Sequence, residues 1–441
     1  MAPQLTQQVE VIPKTKEMFT IQTFCPVCLK KIHGKVIEED GKVFLEKTCE
    51  QHGFFKILLE NDAHYFKETY VPQSPFTHSE WFFVPKKEDW NIIKKKYSTL
   101  YLSITSLCNE NCKVCYQANK KIENICIHEL IYILKKIGKG KKIILFGGEP
   151  TVHESLFKII NLIKKSKNIP LLCTNGLKLR DYNYVKRLKE SGIEEVCLSF
   201  DGFKEEIYEK MRRSKKDFYI KIRALENLKK LKIKTSIYAT IAKGVNEDQI
   251  PVIINFAIKN KDFINSIFFI ELIPFGRFNV DVKEFLTSSD IVKILELNNV
   301  TTEAYFIQFR KLLVNIREFL EKLHICPKNL NPLMPGILVD VRNGQIKPVL
   351  NFSEIRKYNK DFESRNFFKI LKNLIKCSIK LVSIRKIFRM FFLPQSSLSK
   401  DRFLKILVGK AVTPFNYIPS ATANIEIEKL MDKIIVNANG Q

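Results

Sequence analysis

Between Leu100 and Phe275 six short apolar runs take turns with amphipathic segments, and this alternation limits the available folds more than any other feature of the chain. "LYLSIT" reads as a strand and 123–138 as a helix, "KIILFGGE" as a strand and 153–165 as a helix. "IPLLCTNG", "EEVCLSFDG", "KTSIYATI" and "SIFFIELIPF" continue the strands, with helices over 182–191, 216–231 and 247–260 between them and over 288–298 and 302–323 after them. Strands that alternate with helices predict parallel βα units. Six units without a Gly-rich dinucleotide fingerprint favour an open or partial barrel over a Rossmann sheet.

In such an architecture the chemistry sits at the C-terminal strand ends. The distinctive residues fall there: Cys108, Cys112 and Cys115 in "SLCNENCKVCY" after the first strand, Gly147 to Glu149 after the second, Thr174 to Gly176 after the third, and Ser199 to Gly202 after the fourth. Proteins that use a cubane [4Fe–4S] cluster only for electron transfer normally ligate all four irons with thiolates. Three ligands leave one iron open to chelate the amino and carboxylate groups of a small molecule. By itself the Cys-x3-Cys-x2-Cys spacing also fits a zinc or redox cluster, Gly-Gly-Glu-Pro also fits an ordinary turn, and Asp201 also fits a helix cap.

Taken in order, these strand ends, with aromatic Tyr116 following the third cysteine, resemble the radical S-adenosylmethionine enzymes from about residue 98 to 275. The resemblance implies a [4Fe–4S] cluster on Cys108, Cys112 and Cys115, with S-adenosylmethionine on its open iron. It further implies that Gly147 and Gly148 admit the methionine part and that Glu149 accepts from its ammonium. Thr174 and Asn175 match the third strand end; Ser199 and Asp201 become candidates for ribose or the methionine carboxylate, Arg212 in "YEKMRR" for the carboxylate, and Asn246 in "KGVNEDQ" for ribose or adenine. Carboxylate for ammonium, guanidinium for carboxylate and glycine where a side chain would collide are the types that this chemistry needs. The implied reaction is reductive cleavage to a 5′-deoxyadenosyl radical, which takes hydrogen from an unactivated carbon of a lipid-like or small-molecule substrate for methylation or carbon–carbon bond formation. It requires an external electron donor of ferredoxin or flavodoxin type. Radical modification of a peptide or RNA, and a non-catalytic iron–sulfur or zinc electron carrier, stay open as alternatives.

Upstream, Cys25 and Cys28 form a Cys-Pro-x-Cys knuckle, the turn "EEDGK" predicts a hairpin, and Cys49 and His52 close a site for one zinc or iron ion. A 35-residue module is too small to fold on its own core, which suits a structural metal; electron delivery to the barrel would need iron. This ribbon before a radical domain is similar to the archaeal group holding tetraether lipid synthases and pterin methylase candidates. That group carries auxiliary-cluster cysteines; "HSEWFFVPKKEDW" and "VRNGQIKPVLNF" have none. Cys173 and Cys197 fall within strands and Cys126 on a helix, which makes them core fillers, while isolated Cys326 and Cys377 bind no second cluster unaided.

The sequence thus divides into a Cys3His ribbon at 18–60, a linker at 61–97, a partial (β/α)6 barrel at 98–325, and a helical C-terminal substrate or capping region at 326–441. With 73 Lys and Arg against 47 Asp and Glu, a net charge of +26 suits nucleic acid, an anionic membrane or a phosphorylated metabolite. Over 367–392 an apolar stripe from Ile370 to Phe391 with lysines around it reads as a basic amphipathic helix, lying either on a membrane or against the barrel. "MAPQLTQQVEVIPKTKEMF" lacks an apolar run, so the expected location is cytoplasmic, at most peripheral on a membrane.

Overall fold

The computed structural model describes residues 15–25, 28, 30–69, 99–115, 124–273, 277–282, 284–322, 336–342, 345–348, 351–363, 370 and 403–409. The basic helix expected over 367–392, together with Tyr116, Cys326 and Cys377, lies outside them apart from Ile370.

The N-terminal module is larger than a hairpin. Strands β1 (Thr15–Phe24), β2 (Lys31–Glu39), β3 (Lys42–Cys49) and β4 (Gly53–Glu60) form an antiparallel sheet in chain order. Asp40 and Gly41 turn β2 into β3 with φ of 49° and 75°, the paired left-handed conformation that suits the strand twist of a tight hairpin. Val36, Val43, Leu45, Ile57 and Leu59 bury one face of the sheet. Helix α1 (Ala63–Thr69) follows inside the segment that the sequence reads as linker. Its Ala63 and Phe66 complete the ribbon core while Tyr65 enters the barrel core, so seven residues join the two.

The barrel sheet holds β5 (Thr99–Thr105), β7 (Lys142–Gly147), β8 (Ile169–Thr174), β9 (Glu195–Ser199), β10 (Lys234–Ile241) and β11 (Ile264–Glu271), all parallel and in sequential order. Helices α2 (Ile127–Ile137), α3 (Leu156–Lys165), α4 (Tyr182–Ser191), α5 (Glu205–Met211), α6 (Lys216–Lys230) and α7 (Gln249–Lys259) cross between them. One residue in two on each strand packs under these helices: Leu100, Leu102 and Ile104 on β5, Val196 and Leu198 on β9, Ile237, Ala239 and Ile241 on β10. The alternate residues, Tyr101, Cys173, Cys197, Ser199 and Tyr238 among them, face the interior. Within it the Tyr101 and Tyr238 hydroxyls stand 3.5 Å apart.

Two helices, α8 (Ser288–Leu297) and α9 (Glu303–Lys322), complete the first part. The C-terminal region contributes α10 (Phe352–Glu363) and three strands as well. Strand β15 (Phe403–Gly409) runs parallel to β11 as a seventh strand, and β13 (Gly336–Arg342) and β14 (Gln345–Pro348) add on antiparallel beyond it. Cys197 is buried in β9 as expected, with Cys173 its register partner on β8. Cys126 is instead exposed: it caps α2, its Sγ accepting from the Glu129 amide while Glu129 bonds back. No helix among the described residues is long and apolar enough to cross a membrane.

Candidate active site and metal centre

In the ribbon, Cys25 and Cys28 come from the turn between β1 and β2, and Cys49 and His52 from the turn between β3 and β4. Among the described residues this quartet alone brings metal-binding atoms within 4.8 Å of one another. Cys25 Sγ lies 3.6 Å from His52 Nδ1, Cys49 Sγ 3.5 Å from the same nitrogen, and Cys28 Sγ 3.7 Å from Cys49 Sγ. Bonds of about 2.3 Å to sulfur in a tetrahedron place ligand atoms roughly 3.7 Å apart, so these residues fit one ion with His52 binding through Nδ1.

The three barrel cysteines sit on the loop after β5, Cys108 exposed, Cys115 half-buried and Cys112 buried. Their sulfurs are not drawn onto one point as the ribbon's are, which suits a cluster several ångströms wide and not a single ion. Donors already address them: the Glu110 amide lies 3.5 Å from Cys108 Sγ, Asn175 Nδ2 3.9 Å from the same sulfur, and Arg212 Nη1 3.6 Å from Cys112 Sγ. N–H groups aimed at thiolate sulfur are the surroundings in which an iron–sulfur cluster is held and tuned. Burial pushes the Cys112 thiol up to about 12 against the pull of Arg212, so a thiolate persists there only when something cationic binds it.

The short strand β12 (Arg277–Phe278) clamps this loop, pairing with β6 (Val114–Cys115), while Arg277 Nη1 donates to the Cys112 carbonyl at 2.9 Å. The loop is also stapled to the end of β7. Gly148 N donates to the Thr105 carbonyl and Glu149 N to that of Leu107, both at 2.7 Å. Gly147, at φ 133°, would place a Cβ 2.1 Å from the Thr105 carbonyl oxygen. These glycines therefore admit the cysteine loop itself, a reason the sequence reading did not include.

Glu149 is buried, its Oε1 accepting from the Thr151 amide and hydroxyl and from Thr174 Oγ1, and its Oε2 from the Asn175 amide at 2.6 Å. Burial raises its pKa, and the hydrogen bonds only partly counter this. Oε2 keeps lone-pair capacity for one more donor, such as an ammonium. Thr174 and Asn175, expected to meet the cofactor, brace Glu149, and Asn175 also donates to Asn109 Oδ1 in the cysteine loop at 2.9 Å.

Asp201 and Asn246, candidates for cofactor contacts, are engaged by protein groups. Asp201 is fully buried, with Arg212 Nε and Nη2 at 2.6 and 2.8 Å and the Thr240 amide at 3.0 Å. Its burial would raise its pKa, but the Arg212 guanidinium overrides that and holds the carboxyl below the usual range. Oδ1 thus accepts two of these bonds and Oδ2 one, which commits the carboxylate to holding Arg212 and the end of β10. Asn246 spends its amide on the ends of β9 and β10, accepting from Ala242 N and donating to the Asp201 and Thr240 carbonyls, each at 2.8 Å. Ser199 is half-buried at the end of β9, facing the interior.

Two residues of the site were not anticipated. Glu110, between the first two cysteines, is buried and pairs with the fully buried Lys221 at 2.9 Å. A signal existed: on α6, Lys221 shares the buried stripe of Asp217, Ala224, Leu225 and Leu228, where a lysine needs a partner.

Residues 102–257 match the radical SAM superfamily, and residues 18–61 match the HMPTM N-terminal zinc ribbon domain. A 7,8-dihydro-6-hydroxymethylpterin dimethyltransferase from Methanocaldococcus jannaschii is 32% identical over 302 residues, 62% of this chain and 57% of that one. A GTP 3′,8-cyclase from Clostridium acetobutylicum is 30% identical over 227 residues, 47% of this chain and 69% of the relative. The chain belongs to the radical SAM superfamily. A [4Fe–4S] cluster and S-adenosylmethionine are the cofactors that come with this membership, and the ribbon holds a metal ion. Streptococcus suis SuiB bound to S-adenosylmethionine is 16% identical, with a TM-score of 0.40 over 59% of this radical SAM chain and 68% of that structure. The chain spans little more than half the length of the pterin dimethyltransferase.

Proposed function

We propose that this protein reductively cleaves S-adenosylmethionine and directs the resulting radical to a carbon of a small ring compound such as a pterin, for methylation or carbon–carbon bond formation. When bound, the cluster and S-adenosylmethionine supply an electron to the sulfonium and a 5′-deoxyadenosyl radical that abstracts hydrogen. The observation that carries the reading is the union of the β7 end with the cysteine loop through the Gly148 and Glu149 amides, which fixes a carboxylate beside three cysteines. In this geometry Cys108, Cys112 and Cys115 hold iron, and Glu149 offers Oε2 to the ammonium. Gly147 and Gly148 keep the loop close, and the interior faces of β5 and β7 to β11 exclude water from the substrate.

The pairing of the ribbon with a radical SAM domain, and the 32% identity to a pterin dimethyltransferase, support a pterin-like substrate. A soluble one-electron carrier of ferredoxin or flavodoxin type supplies the electron. The basic stripe over 367–392 favours a lipid as the second reading of the substrate.

Anaerobic reconstitution, dithionite reduction and assay for 5′-deoxyadenosine provide the test. Cleavage is expected in the wild type and is lost in Cys108→Ala, Cys112→Ala and Cys115→Ala. A cluster that forms with no cleavage above that of these variants refutes the reading. Metabolite and lipid profiling of a deletion strain separates the pterin from the lipid substrate.

A further inference from the structure

Arg212 has one hydrogen-bonding edge locked and one group left over. Its Nε and Nη2 bracket Asp201 at 2.6 and 2.8 Å, and the Thr240 amide fixes Asp201 from the other side. Nη1 remains, and it lies 3.6 Å from Sγ of Cys112. The guanidinium therefore addresses a cluster cysteine directly.

A second buried ion pair sits beside the first. Lys221 and Glu110 are 2.9 Å apart and both buried, and Lys221 also donates to the Ser199 carbonyl at 3.1 Å. Glu110 belongs to the cysteine loop, while Lys221 and Arg212 approach from α6 and the segment before it. Taking four charges out of water is expensive, and paired apolar residues of similar size would commonly leave a protein as stable or more so. Their placement therefore calls for a reason other than stability.

We infer that Arg212 is a positioning residue for the iron–sulfur cluster, acting through Cys112 to favour the reduced cluster, with Asp201 as the lock that keeps Nη1 on the sulfur. A donor N–H and a full positive charge at a ligand thiolate stabilise the state with one more electron. The electron comes from the external one-electron carrier, and no bond is made or broken in this step. The inference rests on the proposed ligation of the cluster by Cys112, and it adds a role to the carboxylate contact that the sequence resemblance implies for Arg212.

An EPR-monitored redox titration of the reconstituted enzyme in the absence of S-adenosylmethionine tests it. Arg212→Gln is expected to lower the ratio of reduced to oxidised cluster at least tenfold at a fixed potential, equal to a midpoint about 59 mV more negative for a one-electron couple. The double variant Arg212→Gln with Asp201→Asn leaves no buried carboxylate unpaired and is expected to show the same shift. An unchanged midpoint in both, with weakened S-adenosylmethionine binding, would confine Arg212 to the cofactor carboxylate and overturn the inference. Loss of the cluster in both, with ribbon metal content and circular dichroism retained, would make Arg212 a brace for the loop and overturn it equally. Absence of a [4Fe–4S] signal from the wild type would instead refute the ligation by Cys112.

Discussion

A Cβ at position 148 would sit 2.3 Å from the carbonyl oxygen of Leu107 and 2.5 Å from that of Ser106, both in the loop that carries Cys108. Backbone cannot swing aside as a lysine tip can. Gly148→Ala is therefore expected to cost roughly 2–3 kcal/mol, as overpacking does, and to lower both the thermal midpoint and the iron taken up on reconstitution. Asp201 gives a second expectation. Its pKa is depressed, so its contribution is present above the unfolded carboxylate pKa of about 4 and is lost as pH falls through the lower folded value. The double Asp201→Asn, Arg212→Gln variant should show a shallower loss of stability below about pH 4 than the wild type when urea unfolding is followed across that range. The cysteines, Gly-Gly-Glu and the ribbon ligands were legible because their chemistry is tied to spacing along the chain. Glu110, and the pairing of Asp201 with Arg212, were not, because a buried partner decides them and that partner lies 111 or 11 residues off.

The joint between ribbon and barrel is made at the scale of elements. Where β4 ends, Glu60 accepts from Ser289 Oγ at 2.8 Å, and Asn61 donates to the Phe285 carbonyl and to Asp290 at 3.0 and 2.7 Å, all around the start of α8. Lys293 pairs with Asp62, and Lys311 on α9 with Glu68 on α1. Asn61→Ala should cost roughly 1–3 kcal/mol through two lost side-chain hydrogen bonds, read as a lower urea midpoint together with faster proteolysis between ribbon and barrel. Removal of the ribbon ion by a chelator, or Cys25→Ser, should raise hydrogen exchange over β1 to β4 and leave α3 and α4 protected, because the ion holds two turns that no core otherwise fixes. Protection lost evenly along the chain would show instead that the ribbon and barrel unfold as one. The parallel strands of the barrel and the longer helices between them were readable from their run-length and 3.6 patterns, whereas the seven-residue α1 and α5 were not. β1 and β4 were not, since each flanks a metal turn whose ligands drew the reading. The Asn-Gly pair at 343–344 is a hairpin signal between β13 and β14.

At the scale of the whole molecule the C-terminal third completes the sheet. β15 bonds to β11 on one side and β13 on the other, and buries Leu404, Ile406 and Val408 in the common core. A chain ending at residue 400 should lose most of its soluble yield, because β11 and β13 would both present unpaired edges; near-native yield and circular dichroism would show that the six-strand barrel closes alone. The alternation of Leu404, Ile406 and Val408 is a strand pattern, but nothing local tells that it pairs with β11, which lies far back in the sequence. That distance sets a schedule during synthesis. About 130 residues separate Glu271 from Phe403, so at 5–20 residues per second a ribosome needs roughly 6–26 s to deliver the strand that covers the β11 edge. Throughout that interval the β11 edge of the emerging chain has no strand to pair with.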